Sequence, residues 1–141
     1  MSQSNEHMFF GVHVIGELYG VDAKMLNNKE LLESVLKEGI KLSGATLCSL
    51  QTKVFDPSGI TSLALLSESH ASFHTYPDYN ALFFDAFTCG TDCQPQKIAD
   101  HMIEILKPKR HTLKTIKRGE EPEAAKVIKL NKKEDELKKI S

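Results

Sequence analysis

Five stretches of the chain carry the residue pattern of β-strands, with apolar, β-branched and aromatic residues interrupted by polar ones. These stretches cover residues 8–19, 45–55, 60–66, 81–89 and 110–118. The stretch ALFFDAFTC (81–89) is the most β-prone of them, so we expect it at the centre of a sheet. The stretch RHTLKTIKR (110–118) is more polar and is expected to be a more exposed strand.

Two other stretches repeat their apolar residues at helical spacing. The first runs from about Lys29 to Ser43, with Asn27 and Glu30 as a capping pair and Gly44 at its end. The apolar face of this helix is Leu32, Val35, Leu36 and Ile40. The second helix begins at Pro95 and stops at Lys107-Pro108. Its apolar face is Ile98, Met102 and Ile105. The segment DAKMLNN (22–28) is predicted to be a polar connection, and DPSG (56–59) and TYPDYN (75–80) to be turns.

These elements predict an α+β fold, a two-layer α/β sandwich in which two helices lie on one face of one mainly antiparallel sheet. A chain of 141 residues is the length of one domain, which we assign to residues 1–118. From 119 to 141, lysines alternate with acidic residues and large apolar side chains are few. This segment is expected to be a solvated helix or a disordered tail outside the core.

Composition and charge exclude several classes of function. The formal net charge is −1, from 18 basic and 19 acidic residues, so neither nucleic acid nor an anionic membrane surface is expected as a partner. No apolar run approaches the roughly 18–20 residues of a membrane span, and residues 1–7 do not form a secretory signal. The three cysteines, Cys48, Cys89 and Cys93, are an odd number, which favours a reducing, cytoplasmic location. Cys89 and Cys93 lack CxxC spacing and a second ligand pair, so no metal site is expected.

The segment LLSESHASFHTYPD (65–78) places hydroxyls, imidazoles and a carboxylate directly after an apolar run. Together with Cys89 it suggests a pocket containing Ser69 and His74. A Cys89–His74 pair would suit a thiol hydrolase, but the chain has no Gly-x-Ser-x-Gly elbow, phosphate loop or HExxH pair. The alternative is a polar strand end that faces water and a cysteine that packs as a small apolar residue. The residues alone therefore indicate a candidate pocket without a reaction.

The order of the motifs resembles the prokaryotic-type S-adenosylmethionine decarboxylase family, whose members are pyruvoyl enzymes. The segment SESHASFHTYPD, followed by FFDAFTCG, carries most of the likeness. The resemblance extends to GVHVIGELYGVD near the N-terminus, to SGATLCSLQTKVFDPSGIT after the first helix, and to KPKRHTL before the last strand. It covers roughly residues 8–118, so only the charged tail lies outside it.

The resemblance implies a proenzyme that cleaves itself between Glu68 and Ser69. The Ser69 hydroxyl attacks the Glu68 carbonyl, and elimination and loss of ammonia convert Ser69 into a pyruvoyl group. By the same resemblance, His74 removes the Ser69 α-proton. Thr61 supplies the processing hydroxyl that is serine in many members.

The resemblance also implies how the processed chain decarboxylates its substrate. The pyruvoyl group forms a Schiff base with the substrate amine, without pyridoxal phosphate or a metal. Cys89 donates a proton to the product carbanion. Phe55 stacks on the adenine, and Tyr76 and Asp78 line the nucleoside pocket. The implied assembly is a homodimer of processed protomers with its sites at or near the subunit interface.

Two features depart from the family pattern and leave the substrate open at this point. Asn80 stands where glycine is expected, and residues 82–84, Leu-Phe-Phe, are bulkier than usual. These residues either narrow the substrate pocket or, as we favour, face the core. The preferred reaction is decarboxylation of S-adenosylmethionine for spermidine synthesis, and the alternative is decarboxylation of arginine or ornithine on the same scaffold. A paralogue that does not process itself and only binds a partner is a third hypothesis, which the intact serine, histidine and cysteine disfavour.

Overall fold

A computed structural model describes residues 9–119, which form one six-stranded sheet and three helices. In chain order the elements are β1 Phe10–Tyr19, α1 Ala23–Leu26, α2 Lys29–Ser43, β2 Leu47–Val54, β3 Ile60–Leu66, β4 Ser69–Tyr76, β5 Ala81–Cys89, α3 Gln96–Leu106 and β6 Arg110–Gly119. A short 3-10 turn, Pro77–Tyr79, connects β4 to β5. The charged segment 120–141 lies outside the described residues, so its predicted character stays a prediction.

The strands lie in the order β2-β3-β4-β5-β1-β6, and every neighbouring pair is antiparallel. Strand β5 lies between β4 and β1, which confirms its predicted central position. Strand β6 is an edge strand with mostly exposed side chains, as its polar sequence predicts.

The two faces of the sheet differ because successive side chains of a strand point to opposite sides. One face carries apolar side chains and packs with α2 and α3 into a single core. Its almost completely buried sheet residues include Val14, Leu18, Phe73, Leu82, Phe84 and Ala86. The other face, which we call the open face, carries polar and aromatic side chains and no helix from the described residues. This arrangement confirms the predicted two-layer α/β sandwich.

The prediction for the polar segment 65–78 as the end of a strand is wrong, because most of this segment forms the separate strand β4. Residues Ala71, Phe73 and Thr75 are buried on the helix face, while His70, Ser72 and His74 alternate with them on the open face. Buried and more accessible side chains alternate regularly along β4. Many of them are small or polar, so the segment lacks the apolar content of an ordinary strand. The polar side chains of this segment therefore form one face of an internal strand of the sheet.

The helix boundaries are predicted closely, whereas some of their contacts are not. Asn28, and not Asn27, caps α2, because its side chain accepts a hydrogen bond from the Leu31 amide. Asn27 instead accepts a hydrogen bond from the amide of Gly59 in the β2–β3 turn, at 3.0 Å. The predicted capping pair is wrong by one residue.

Two further details of the helices differ from the prediction. The segment 22–28 contains the one-turn helix α1, since Asp22 caps it and Leu26 is buried. In α3 the buried face is Ile98, Ala99, Met102 and Leu106, whereas Ile105 is only partly buried.

Within residues 9–119, none of the helices combines the length and apolar character that crossing a membrane requires.

Candidate active site

The bond between Glu68 and Ser69 lies at the tight turn of the β3–β4 hairpin. Leu66 and Ser69 are paired across the two strands, so Ser67 and Glu68 alone form the turn. Glu68 has a φ of 64°, in the left-handed region that residues with a Cβ atom rarely adopt. This conformation costs roughly 1 kcal/mol for a residue other than glycine. The turn therefore holds the Glu68–Ser69 segment in a strained conformation.

Cys89, the last residue of β5, contacts both sides of this bond. Its thiol donates a hydrogen bond to the Glu68 carbonyl oxygen at 3.0 Å, and its amide donates to Ser69 Oγ at 3.3 Å. Burial raises the pKa of the Cys89 thiol, and the negative charge of Glu68 raises it further. The thiol is therefore protonated near neutral pH and directed at the carbonyl that precedes Ser69.

His74 and Thr61 form a second pair, which lies on the open face at the other end of β4. They lie opposite each other on β4 and β3, and Thr61 Oγ1 is 2.9 Å from His74 Nδ1. His74 is five positions after Ser69 on the same strand. A rise of 3.2–3.4 Å per position places their backbones ~16 Å apart. Within one protomer, the structure thus joins Ser69 with Cys89 and Thr61 with His74, but it does not join the two pairs.

The three residues with an implied role in substrate binding lie at the His74 end of the sheet. Phe55 follows β2 and is 47% exposed, and Tyr76 ends β4 and is 40% exposed. Asp78 is an exposed residue of the 3-10 turn that follows Tyr76. The aromatic rings of Tyr76 and Phe83 lie 4.8 Å apart, so these two side chains form an apolar surface beside His74.

The bulky segment 82–84 is mostly turned away from this surface. Leu82 and Phe84 are buried in the core, as favoured from the sequence, but Phe83 faces the open side opposite His74. Asn80 replaces the expected glycine without a large penalty, because asparagine tolerates its left-handed φ of 51°. Its side chain also donates a hydrogen bond to the Val21 carbonyl at 2.9 Å.

A further polar group on the open face was missed in the sequence analysis. Asp85 Oδ2 lies 2.7 Å from His13 Nε2 and 2.9 Å from His70 Nε2, and Ser72 donates to Asp85 Oδ1. Burial of Asp85 opposes its ionisation, but the hydrogen bonds from Ser72, His13 and His70 outweigh this effect and lower the pKa of the carboxyl. His13 and Asp85 are 72 residues apart, so no local spacing signals their contact.

The sheet, the positive φ of the residue before Ser69 and the thiol beside it form an arrangement that fits the enzyme class suggested by the motif order. Comparison with known proteins identifies the family. The family model described as S-adenosylmethionine decarboxylase matches residues 12–119, and the chain belongs to this family.

Two curated relatives carry the same description. The chain is 46% identical over 114 residues to S-adenosylmethionine decarboxylase proenzyme 2 of Bacillus cereus strain ZK / E33L, covering 81% of this chain and 93% of that protein. It is 38% identical over 109 residues to the S-adenosylmethionine decarboxylase proenzyme of Methanococcus maripaludis, covering 77% of this chain and 89% of the relative.

Solved structures agree with the fold. The adenosylmethionine decarboxylase from Aquifex aeolicus superposes with a TM-score of 0.74 at 32% identity, covering 80% of this chain and 93% of that one. The AdoMetDC of Trypanosoma brucei superposes with a TM-score of 0.56 at 16% identity, covering 72% of this chain and 44% of that one, which shows a shared fold alone.

Proposed function

We propose that this chain is a proenzyme that cleaves its backbone between Glu68 and Ser69 and then decarboxylates S-adenosylmethionine. The observation that carries the proposal is the position of Cys89, whose thiol and amide contact the Glu68 carbonyl and the Ser69 hydroxyl at 3.0 and 3.3 Å. The names of the curated relatives, which are proenzymes of S-adenosylmethionine decarboxylase, support this substrate and this self-processing. None of the relatives reported above is named for arginine or ornithine, so that alternative receives no support.

In the proposed cleavage, Ser69 Oγ attacks the Glu68 carbonyl carbon, and the peptide bond is replaced by an ester. Negative charge develops on the Glu68 carbonyl oxygen during this attack. The Cys89 thiol already donates a hydrogen bond to that oxygen, so it is placed to stabilise the charge. Loss of the Ser69 α-proton then expels the Glu68 carboxylate and leaves dehydroalanine, which tautomerises and exchanges ammonia for water to give the pyruvoyl group.

The strained turn is proposed to favour this cleavage. In a Glu68→Gly variant the turn loses its strain, because glycine adopts a positive φ at little cost. The uncleaved chain should become more stable by about 1 kcal/mol, which corresponds to cleavage about 5-fold slower. Timed denaturing gels of freshly synthesised chain measure the rate. Glu68→Gln is the matched control, since it keeps the strain and removes only the charge, and equal rates for the two variants would contradict this role of the turn.

The residues around Ser69 suit a pyruvoyl group, because the protonated Cys89 thiol lies beside the position where it would form. When present, that group supplies a carbonyl that accepts the electrons released with CO₂. Cys89 is proposed to donate the proton that replaces the lost carboxylate. A thiol with a raised pKa stays protonated in the working pH range and so remains a proton donor.

The raised pKa of Cys89 predicts the pH dependence of decarboxylation. Because the protonated form is the active one, kcat should fall only as the pH rises through the pKa of Cys89, above the ordinary thiol value of about 8.5. Cleavage adds a second carboxylate at Glu68, which shifts the pKa in the same direction. A pH profile of kcat measures this, and Glu68→Gln should move the basic limb to lower pH. A basic limb at or below the ordinary thiol value would contradict Cys89 as the donor.

The separation of Ser69 from His74 supports a homodimer with composite sites. The open face exposes large apolar side chains that are 39 to 58% accessible, namely Ile15, Leu63, Leu65, Phe83 and Ile116. A surface of this kind is typical of an interface. We propose that a second copy covers it with its own open face. A two-fold axis through the centre of the face would place His74 and Thr61 of one protomer opposite Cys89 of the other, and so near the Ser69 that Cys89 contacts.

The composite site also accounts for the proposed substrate residues. Phe55, Tyr76 and Asp78 lie at the His74 end of a protomer, so in this dimer they would face the pyruvoyl group of the partner. Their aromatic rings and carboxylate suit a nucleoside, which needs a stacking surface and a hydrogen-bond acceptor for its ribose.

Release of labelled CO₂ from S-adenosylmethionine, arginine and ornithine, measured side by side, tests the proposed function. We expect release from S-adenosylmethionine alone, together with two fragments on a denaturing gel that meet at Glu68 and Ser69. Conversion of arginine or ornithine in its place would overturn the substrate, and a single intact band from an active preparation would overturn the mechanism.

A further inference from the structure

The proposed reaction leaves the His13–Asp85–His70 cluster unused. These side chains come from the adjacent strands β1, β5 and β4, all point to the open face, and offer ligand atoms that lie within 4.8 Å of one another. We propose that His13, His70 and Asp85 form a binding site for one divalent transition-metal cation of the Zn²⁺ or Co²⁺ type. This cation has no part in the decarboxylation.

The donor set has the chemistry of such a site. Two imidazole nitrogens and one carboxylate oxygen are common ligands of these cations and leave a fourth position for water or another donor. Metal–ligand bonds of about 2.0–2.1 Å separate tetrahedral ligands by roughly 3.3 Å. The N–O distances of 2.7 and 2.9 Å therefore have to widen by only about half an ångström. The two imidazole nitrogens, which lie within 4.8 Å of each other, have to approach to the same separation. Both adjustments need rotation of the side chains, while the sheet keeps the three backbones in place.

A neighbouring hydroxyl orients the Asp85 carboxylate for metal binding before any cation is present. Ser72 donates a hydrogen bond to Oδ1, which leaves Oδ2 directed at both imidazoles. Hydrogen bonds of this kind orient metal-binding carboxylates and tune their affinity. The cluster is half-buried in a single protomer, where a cation can reach it from the open face before a second copy covers that face.

Arg118 opposes metal binding, so its removal provides a specific test of the site. Its Nη1 lies 3.2 Å from His13 Nδ1 and donates to it, so neutral His13 keeps its own proton on Nε2, facing Asp85. A metal needs the lone pair of Nε2, so the ring proton must move to Nδ1, and the Arg118 guanidinium, which can only donate, must then leave Nδ1. Arg118 is an exposed residue of the edge strand β6 whose other described contact is the Phe87 ring at 5.3 Å, so this movement is possible.

The site would link two segments that the proposed cleavage separates. His13 belongs to residues 1–68, whereas His70 and Asp85 follow the cleaved bond. A bound cation would therefore add a cross-link between the two fragments of the processed chain. This consequence rests on the proposed function, but cation binding itself does not, since the three side chains already meet in the uncleaved chain.

Titration of the full chain with Co²⁺, followed by competition with Zn²⁺, tests the proposal. We expect one Co²⁺ per chain, with the visible absorption of a tetrahedral or five-coordinate site and without the intense ultraviolet band of a cobalt–thiolate bond. His70→Ala and the isosteric Asp85→Asn should each weaken binding at least about 10-fold, because each removes a ligand. Arg118→Ala should strengthen binding by a similar factor, since it removes a competing donor and a positive charge. His111→Ala, an exposed histidine of β6, is the matched control and should bind like the unaltered chain.

Three results would overturn the site. Absence of Co²⁺ and Zn²⁺ binding would show that the three side chains form a hydrogen-bonded network only. Binding that His70→Ala and Asp85→Asn leave unchanged would place the cation elsewhere, and a thiolate band would place it at a cysteine. A thermal melt of each variant without metal shows whether the variant is folded. Arg118→Ala changes an exposed residue of the edge strand, so its effect on Co²⁺ affinity can be measured with all three proposed ligands intact.

Discussion

Replacing Ser69 by alanine is expected to leave the chain as one band of 15.8 kDa with no decarboxylase activity. The variant lacks the hydroxyl that is proposed to attack the Glu68 carbonyl, and no ester can form without it. Its loss therefore removes both the cleavage and the pyruvoyl group that cleavage produces. The effect should be complete rather than partial, because no other group in the proposed mechanism replaces the nucleophile.

A denaturing gel and sequencing of the N-termini measure this result. In the unaltered chain, the fragment that begins at position 69 should resist N-terminal sequencing, because a pyruvoyl group has no α-amine. Ser67→Ala is the matched control, since Ser67 lies in the same turn and has no proposed role, and it should cleave normally. Cleavage of Ser69→Ala at the same bond would contradict the assignment of Ser69.

Cleavage should be restored when two inactive variants are expressed together. His74→Ala should not cleave at a measurable rate, since loss of a positioned general base costs about 10²–10⁴-fold. Ser69→Ala should not cleave at all. In a mixed dimer, however, the Ser69 of the first variant faces the His74 of the second, and one complete site forms. Random mixing in equal amounts places about half of the His74→Ala chains in such dimers.

Tags of different size allow the two chains to be followed separately on one gel. The expected result is cleavage of about half of the His74→Ala chains and of none of the Ser69→Ala chains. Replacing the second partner by a chain that carries both changes should abolish the rescue. Absence of cleavage in the mixture, with dimers present by sedimentation, would show that His74 serves Ser69 of its own chain and would overturn the composite site.

The fold follows from local patterns in the sequence to a large extent. The helices α2 and α3 and five of the six strands were predicted with small errors at their ends, because helical spacing and strand residues are local properties. Strand β4 was missed because its open face is polar and its helix face includes small residues such as Ala71. The candidate site residues on β4 are therefore also the reason that this strand was not recognised.

The candidate site was only partly visible in the sequence. Ser69, His74 and Cys89 could be named because their order matches that of a known family. Their contacts could not be predicted, since the distance between side chains depends on strand register. The register places Cys89 beside Glu68 on a neighbouring strand, while the extended conformation of β4 carries His74 away from Ser69.

The sequence by itself determined most of the elements, the family and the candidate residues for the chemistry, because each depends on patterns within short segments. The tertiary structure alone decided which of these residues meet. Alternation along a strand assigns a side chain to a face, but only the pairing of distant strands assigns its neighbours. That pairing brings Cys89 to the strained turn, keeps the Thr61–His74 pair away from Ser69, and joins His13 to His70 and Asp85.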